Sequence, residues 1–448
     1  MVISETGPRR GLIRRVRRAY AGMNRREVTL WLKERLFWRP FRTCRPLLFS
    51  VGALAFLWRR LMFRTTFIAI TGSLGKTTAK ECLAAILATK APTIKTAGNH
   101  NSGLGLCVSI LRVRPWHRFA VLELAGAAPN NMLRGSQLVR PDVAVILNVL
   151  RTHTTVFATL EDHAAEKSHL LDNLRPGGTA IVNGEDPLVA SMANRPGLRV
   201  IRFGTSPEFD VRVDGVTSRW PDRLAFKVHS HGESADVETR LVGRHWINSL
   251  LAALCTAQQC GVSLRQAAKA LRDVEPFPAR LQPVALPMGA IVLRDDYNAS
   301  IDTLETSCRV LEEADAQRRL LVVNDFSDSG VNRKNRLRRL AETARRAADV
   351  ALFIGESAEY GRRRAIEAGM RPDDVHHFPT LKEAARFLKN EIRSGDLVLL
   401  KGRTTDHAAR IFFALTGEVG CWKDYCRKTM LCDNCWALRL DADVAQGL

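Results

Sequence analysis

No stretch of this 448-residue chain stays apolar for the roughly 20 residues that a helix needs to cross a bilayer. The most hydrophobic segment, PLLFSVGALAFLW at residues 46–58, is too short to span. It also lies too far along the chain to be a cleaved signal peptide. Without a secretory signal, the ten cysteines do not read as a disulfide framework, and a reducing cytoplasm is the expected compartment. Internal repeats and low-complexity runs are missing, and 46% apolar content excludes disorder for most of the chain. Acids are scarce at the start: residues 1–64 hold three, against sixteen Lys and Arg, so this block carries +13 of the total +21. Such a block suits an anionic surface, with a plain solvated arm as the alternative. Val28, Trp31, Leu32 and Leu36 recur at helical spacing among Arg25, Arg26, Lys33 and Arg35. That pattern fits a helix lying on an anionic membrane at its inner face, or one that packs on a partner or the next domain.

From residue 65 onward the pattern is α/β. The runs TTFIAIT, FAVLEL, VAVILNV and GTAIVN read as buried strands, with helices expected at 77–89 and 159–175. This alternation predicts a doubly wound, mostly parallel sheet. Residues 205–240 suggest an antiparallel insertion, followed by one helix at about 246–272 and the breaker-rich EPFPARLQP. A second series, AIVLRDDY, RLLVVNDF, DVALFIG and DLVLLKG, predicts a smaller Rossmann-like α/β domain. The expected division is 1–64 basic and hydrophobic, 65–274 central ATP-binding, 275–418 Rossmann-like, and 419–448 a Cys-rich tail.

The loop after the first strand, TGSLGKTT at 71–78, does not meet the common G-x-x-x-x-G-K-[ST] spacing, because position 70 is Ile. Its chemistry still suits phosphate. Gly72 and Gly75 allow a tight turn that, with Ser73, presents N–H groups. Lys76 supplies a point charge, Thr77 offers a hydroxyl to Mg2+, and Thr78 completes the first turn of a helix whose N-terminus faces the anion. A purely structural glycine turn is the plainer reading, but strand, loop, Lys-Thr-Thr and helix together favour a nucleotide.

These residues resemble the loop of the Mur ligase superfamily, ATP-dependent amide ligases of cell-wall synthesis, and most resemble the branch that adds D-alanyl-D-alanine to the muramyl tripeptide. The resemblance continues through Asn99-His100-Asn101-Ser102-Gly103-Leu104-Gly105, Glu123 at a strand end, Asn148 and His153 at N-x-x-x-x-H spacing, Lys167, Gly243-Arg-His245-Trp-Ile-Asn248, Arg280, Asp295-Asp296-Tyr297-Asn298-Ala299, and Lys401-Gly402. It covers roughly residues 65–415 and implies that a carboxylate acceptor takes the γ-phosphoryl group of ATP before an amino-acid or peptide amine displaces phosphate. It further implies Mg2+ held by Thr77, Glu123, His153 and a carbamylated Lys167, with Asn248 at the adenine and Arg280, Asp295, Tyr297 and Asn298 at the nucleotide. Singly, Glu123 could pair with an Arg, His153 could be a satisfied loop histidine, and Lys167 could be a solvated helix residue.

The resemblance stops short of residues 1–64, where the family has a nucleotide-sugar-binding domain. Position 294 is Arg where an Asp is common. The expected function is therefore an ATP- and Mg2+-dependent carboxylate–amine ligase acting on a cell-wall or envelope acceptor. Its alternatives are an amino-acid-polymer or specialised-metabolite ligase and, from another class, a nucleotide-driven nucleic-acid binder. Intact Glu123, His153 and Lys167 argue against nucleic acid, since binding alone needs no second metal. In the tail CWKDYCRKTMLCDNC, the residues Cys421, Cys426, Cys432 and Cys435 suggest a structural Zn2+ in a compact knuckle. Buried thiols beside Trp422 and Trp436, or a redox pair at Cys432 and Cys435, are the alternatives.

Overall fold

The structure, a computed structural model, describes residues 45–98, 100–150, 156–324, 332–423, 426, 430–435 and 438. Nine strands form the first sheet: β1 Thr66–Thr71, β2 Thr93–Lys95, β3 Phe119–Glu123, β4 Val143–Ile146, β5 Thr179–Asn183, β6 Arg199–Gly204, β7 Val211–Thr217, β8 Ala225–Ser230 and β9 Glu233–Glu238. Their order is β2-β3-β1-β4-β5-β6-β7-β8-β9. Pairing is parallel from β2 through β7 and antiparallel for β7–β8 and β8–β9, so the expected insertion extends the same sheet.

Both faces of the sheet are covered, because alternate strand side chains point to opposite sides. Ile68 and Ile70 of β1 enter one core, beneath α2 (Lys76–Ala88) and α7 (Ile247–Gln259). Phe67 and Ala69 enter the other, beneath α1 (Arg45–Leu61), α3 (Gly103–Leu111), α4 (Asn131–Val139), α5 (Leu160–Asp172) and α6 (Pro187–Ala193). A strand flanked by both cores has no polar face, and this explains the continuous apolar runs in the sequence.

The single helix expected at 246–272 is two helices, α7 and α8 (Leu264–Arg272). Gly261 turns left-handed at φ +76°, and Val262 N–H returns to the Ala257 carbonyl at 3.0 Å, closing α7 before α8 starts under the Ser263 cap.

The second sheet comprises β10 Gln282–Ala285, β11 Ile291–Asp295, β12 Arg318–Asn324, β13 Val350–Ile354, β14 Val375–Phe378 and β15 Asp396–Lys401, in the order β10-β11-β15-β12-β13-β14. Only β10 is antiparallel. The two edge strands, β10 and β14, are additions to the four strands legible as apolar runs. Helices on both faces complete the doubly wound pattern.

Among the described residues no helix is long and apolar enough to cross a membrane. The hydrophobic segment 46–58 lies within α1, which packs on the first sheet's helices through Ala55, Trp58 and Arg59.

Candidate active site

The chain leaves β1 toward β3 on one side, while β4 occupies the other. The carboxyl end of β1 is therefore a switch point, where open α/β sheets bind ligands. The loop Gly72–Gly75 sits there. Gly72 has φ +154° and Gly75 φ +83°. A Cβ at Gly72 would meet Leu147 Cβ at 2.9 Å, and one at Gly75 would collide with the Ser249 hydroxyl. Both glycines are thus required by close approach as well as by backbone conformation.

Asn148 holds the loop in shape. Its Oδ1 accepts from the N–H groups of Ser73 and Leu74, both at 2.9 Å, and its Nδ2 donates to Leu74 O at 3.2 Å. Ser249 Oγ donates to Gly75 O at 3.1 Å. No side chain caps α2, so its first N–H groups remain directed at the loop's concavity. A cradle closed to any Cβ, with uncapped amides and a lysine, fits a nucleotide polyphosphate.

Lys76 Nζ donates to Gly72 O at 2.6 Å and Ser73 O at 3.1 Å. Burial holds its pKa below the ordinary lysine value, and Arg280 adds to this while Glu123 opposes it. Thr77 Oγ1 donates to Glu123 Oε2 at 3.0 Å. Glu123 is buried, and its Oε1 accepts from Asn101 Nδ2 at 3.0 Å. The Thr78 hydroxyl is buried and has no hydrogen-bond partner among the described residues.

Lys80, one turn after Lys76 on α2, is fully buried and lies 3.9 Å from Glu123 Oε2. It also donates to the carbonyls of Thr96 and Gly98. Sequence reasoning missed it, although its i+4 spacing from Lys76 places both on one helix face.

Lys167 is not a solvated helix residue. It is 1% exposed, and its Nζ stands 2.5 Å from His163 Nε2, one turn earlier on α5. Burial, reinforced by Lys76 and opposed by Glu166, pushes its pKa down to about 7. The neutral amine, the form that reacts with CO2, is therefore well populated near pH 7. His163 was not foreseen; its signal is the same i, i+4 spacing. His153 lies outside the described residues, as does Asn99.

The second sheet reaches the loop through Arg280. Its Nη2 donates to Thr77 Oγ1 at 3.3 Å, and its guanidinium lies 4.1 Å over the Tyr297 ring. Asp295 accepts from Lys401 Nζ at 2.5 Å and from the Ser307 hydroxyl, so it anchors the second sheet internally. Asn298 is exposed on the loop after β11, and Asn248 is half-buried on the first turn of α7, next to Ser249. His245 packs at 4.2 Å against Trp246, and burial pushes its pKa down to about 4. Lys76, Thr77, Glu123 and Arg280 therefore converge, linked by direct contacts or by charge. Lys167 joins them through the field of Lys76.

The tail does not gather as a zinc site. Among the described residues no group of three or more His, Cys, Asp or Glu is arranged to hold a metal ion. Cys421 and Cys432 are buried in the apolar core of the second sheet, and Cys435 packs on its edge. Cys432 Sγ lies 3.2 Å from His407 Nδ1, and burial raises its pKa to about 12. The physical reason is the core itself: the face of β10–β15 leaves an apolar margin that the tail fills.

Arg294, the departure noted in the sequence, fastens this tail. It is buried and bonds Asp296 at 3.1–3.2 Å and Asp433 at 2.5 and 2.9 Å. Burial would lower its pKa, yet Asp296 and Asp433 carry it above the ordinary value, so the cation is secure.

A Gly-Lys-Thr cradle at a sheet switch point, with a carboxylate on the threonine and an arginine arriving from a second α/β unit, is the arrangement of an ATP-dependent ligase. Residues 70–257 match the family model of the Mur ligase middle domain, and residues 279–404 that of the Mur ligase glutamate ligase domain. The chain belongs to the Mur ligase family, ATP-dependent enzymes that form amide bonds. It is 30% identical over 314 residues to the UDP-N-acetylmuramoyl-tripeptide–D-alanyl-D-alanine ligase of Escherichia coli K12, covering 69% of this chain and 68% of that one. It is 28% identical over 390 residues to the enzyme of the same name from Mycobacterium tuberculosis CDC 1551, covering 80% and 74%. Among solved structures, MurF from Acinetobacter baumannii superposes with TM-score 0.76 at 27% identity, covering 82% of this chain and 80% of that one.

Proposed function

We propose that this chain joins the terminal carboxylate of a muramyl-peptide-type acceptor to the amine of a D-alanyl-D-alanine-type dipeptide, as the names of its relatives describe for those proteins. The observation that carries this reading is the convergence of Lys76, Thr77, Glu123 and Arg280 on one glycine cradle. The acceptor carboxylate oxygen attacks the γ-phosphorus of ATP and ADP departs. The amine nitrogen then attacks the acyl carbon, and phosphate leaves with the electron pair of the broken C–O bond. Phosphoryl transfer of this kind asks for positioning and charge neutralisation.

Within that scheme the uncapped amides of α2 hold the β-phosphate side, and Lys76 exchanges its loop carbonyls for phosphate oxygens. Arg280 sets the second unit against the same charge, with Tyr297 keeping its guanidinium in plane, and Asn298 and Asn248 edge the nucleotide pocket. Asp295 keeps the Arg280 loop in register, since it accepts from Leu281 N at 3.3 Å. The oxygen donors Thr77 and Glu123, with a carbamate on Lys167 and with His153, suit Mg2+. That ion would neutralise charge on the transferring group. We assign the chain to four parts, 1–64, 65–274, 275–418 and 419–448, and place it in the cytoplasm.

The test is phosphate release measured with ATP and Mg2+, with acceptor and dipeptide supplied singly and together. Release that needs both supports the reading. Release with neither, or with nucleic acid alone, refutes it.

A further inference from the structure

Helix α1 has two apolar faces, and the first sheet uses only one. Ala55 and Arg59 are buried against the domain, and Val51 and Trp58 pack beside them. Arg59 is committed inward, donating to the carbonyls of Val139 and Arg140. The opposite arc carries Phe49, Leu54, Leu57 and Leu61, and Phe63 follows directly; Phe49 is 80% exposed and Phe63 73%. A helix that is hydrophobic all round is ordinarily covered all round.

A second exposed segment lies beside the helix exit. Thr65 Oγ1 donates to His117 O at 2.7 Å, Thr66 N–H to Arg118 O at 2.9 Å, and Trp58 Nε1 to Val113 O at 2.9 Å. These bonds fix the loop 112–118, RVRPWHR, against the end of α1. Its Trp116 is 65% exposed, and Arg112, Arg114 and Arg118 are exposed around it. The helix exit adds Arg60, stacked on Phe56, and Arg64. Glu81 is the sole acid between residues 35 and 122.

We infer that the outer face of α1 and the 112–118 loop form one docking surface for an anionic phospholipid membrane. The chemistry favours lipid over a protein partner. An apolar helix face, an aromatic ring at its rim and a surround of arginines, beside which Asp142 is already paired to Arg59 and Arg175, match a hydrocarbon boundary beneath phosphate headgroups. The basic residues 1–44 precede the helix and add to the same charge complementarity. This inference is independent of the ligation chemistry and goes beyond it.

The test uses the full chain with phosphatidylglycerol–phosphatidylcholine vesicles, hydroxyl-radical footprinting of the peptides holding Leu57–Phe63 and Trp116, and co-sedimentation. Both peptides are expected to label freely in buffer and to be protected by anionic vesicles but not by pure phosphatidylcholine. The Leu57→Glu/Leu61→Glu and Trp116→Ala variants, altered only at exposed positions, should keep the wild-type circular dichroism and unfolding midpoint. The double variant should lose roughly tenfold or more in vesicle partition. Protection already present in buffer would mean that residues 1–44 or a second copy cover the face, which size-exclusion with light scattering distinguishes, and would overturn the inference. So would vesicle binding that neither variant weakens, or no binding at all.

Discussion

Replacing Gly75 by alanine tests the cradle at its tightest point. Gly75 is left-handed at φ +83° and is the N-cap of α2. An L-residue in that conformation costs about 1–2 kcal/mol. The new Cβ also meets the Ser249 hydroxyl, which must rotate away and give up its 3.1 Å bond to Gly75 O. Losing that bond adds about 1 kcal/mol. Together these come to about 2–3 kcal/mol, which would lower the melting midpoint of a unit this size by about 4–12 °C. Nucleotide affinity should fall further, because a loop displaced by the clash misaligns the N–H groups of Lys76 and Thr77. The double variant Gly75→Ala/Ser249→Ala separates the two causes: it removes the clash but leaves both the backbone penalty and the lost hydrogen bond, so ATP affinity should recover in part while the stability loss persists. Calorimetric titration with ATP, alongside thermal unfolding of both variants, reads each quantity. A Gly75→Ala protein with wild-type stability and ATP affinity would refute the reasoning.

Other outcomes are expected from the same geometry. Lys76→Ala and Glu123→Ala should each abolish ligation, with ATP binding hit harder by the lysine change, since removing one charge from a transferring group costs several kcal/mol; near-normal turnover in either would sink the assignment. Lys167 has a folded pKa of about 7 against an ordinary 10.5, so the unfolded chain holds the extra proton between those values. Stability is therefore penalised progressively as pH falls from 10.5 to 7, by ~5 kcal/mol in full. Lys167→Met should lift that penalty, unfolding at higher temperature than wild type at pH 7 while losing ligation. A lower midpoint for this variant would show that the amine is stabilised in place. Bicarbonate labelled with 13C should give a carbamate carbon signal that Lys167→Met lacks. Arg294→Met should leave Asp296 buried without its cation at about 3–5 kcal/mol and release Asp433, so that limited proteolysis cuts the tail first; an equally protected tail would contradict the anchor.

Local sequence was enough for much of this protein. An unbroken apolar run such as FIAI can be buried on both sides only in a covered parallel sheet, so β1 and its neighbours were legible without a partner strand in view. The glycine loop was legible because φ and close approach restrict the residue locally, whatever the rest of the chain does. The same holds for the order of the motifs from Lys76 to Lys401, several of them at a strand end or helix start, such as Lys76, Glu123, Asp295 and Lys401. Sequence alone misplaced the tail. Four cysteines within fifteen residues look like a metal knuckle, but their fate depends on whether a nearby core has an edge to fill, and that edge is assembled from strands scattered between residues 282 and 401.

Only the tertiary structure decided which side chains share a site. Glu123, Arg280 and Thr77 lie up to 203 positions apart and meet because β3 ends beside β1 and the linker returns the second unit to the first. It also decided the lowered pKa of Lys167, since desolvation and the neighbouring cation Lys76 produce it, and neither is a property of the residues beside it in sequence. The outward face of α1 belongs to the same category: its apolar residues were plain in the sequence, but that one arc is used and the other is left exposed follows from where the helix docks.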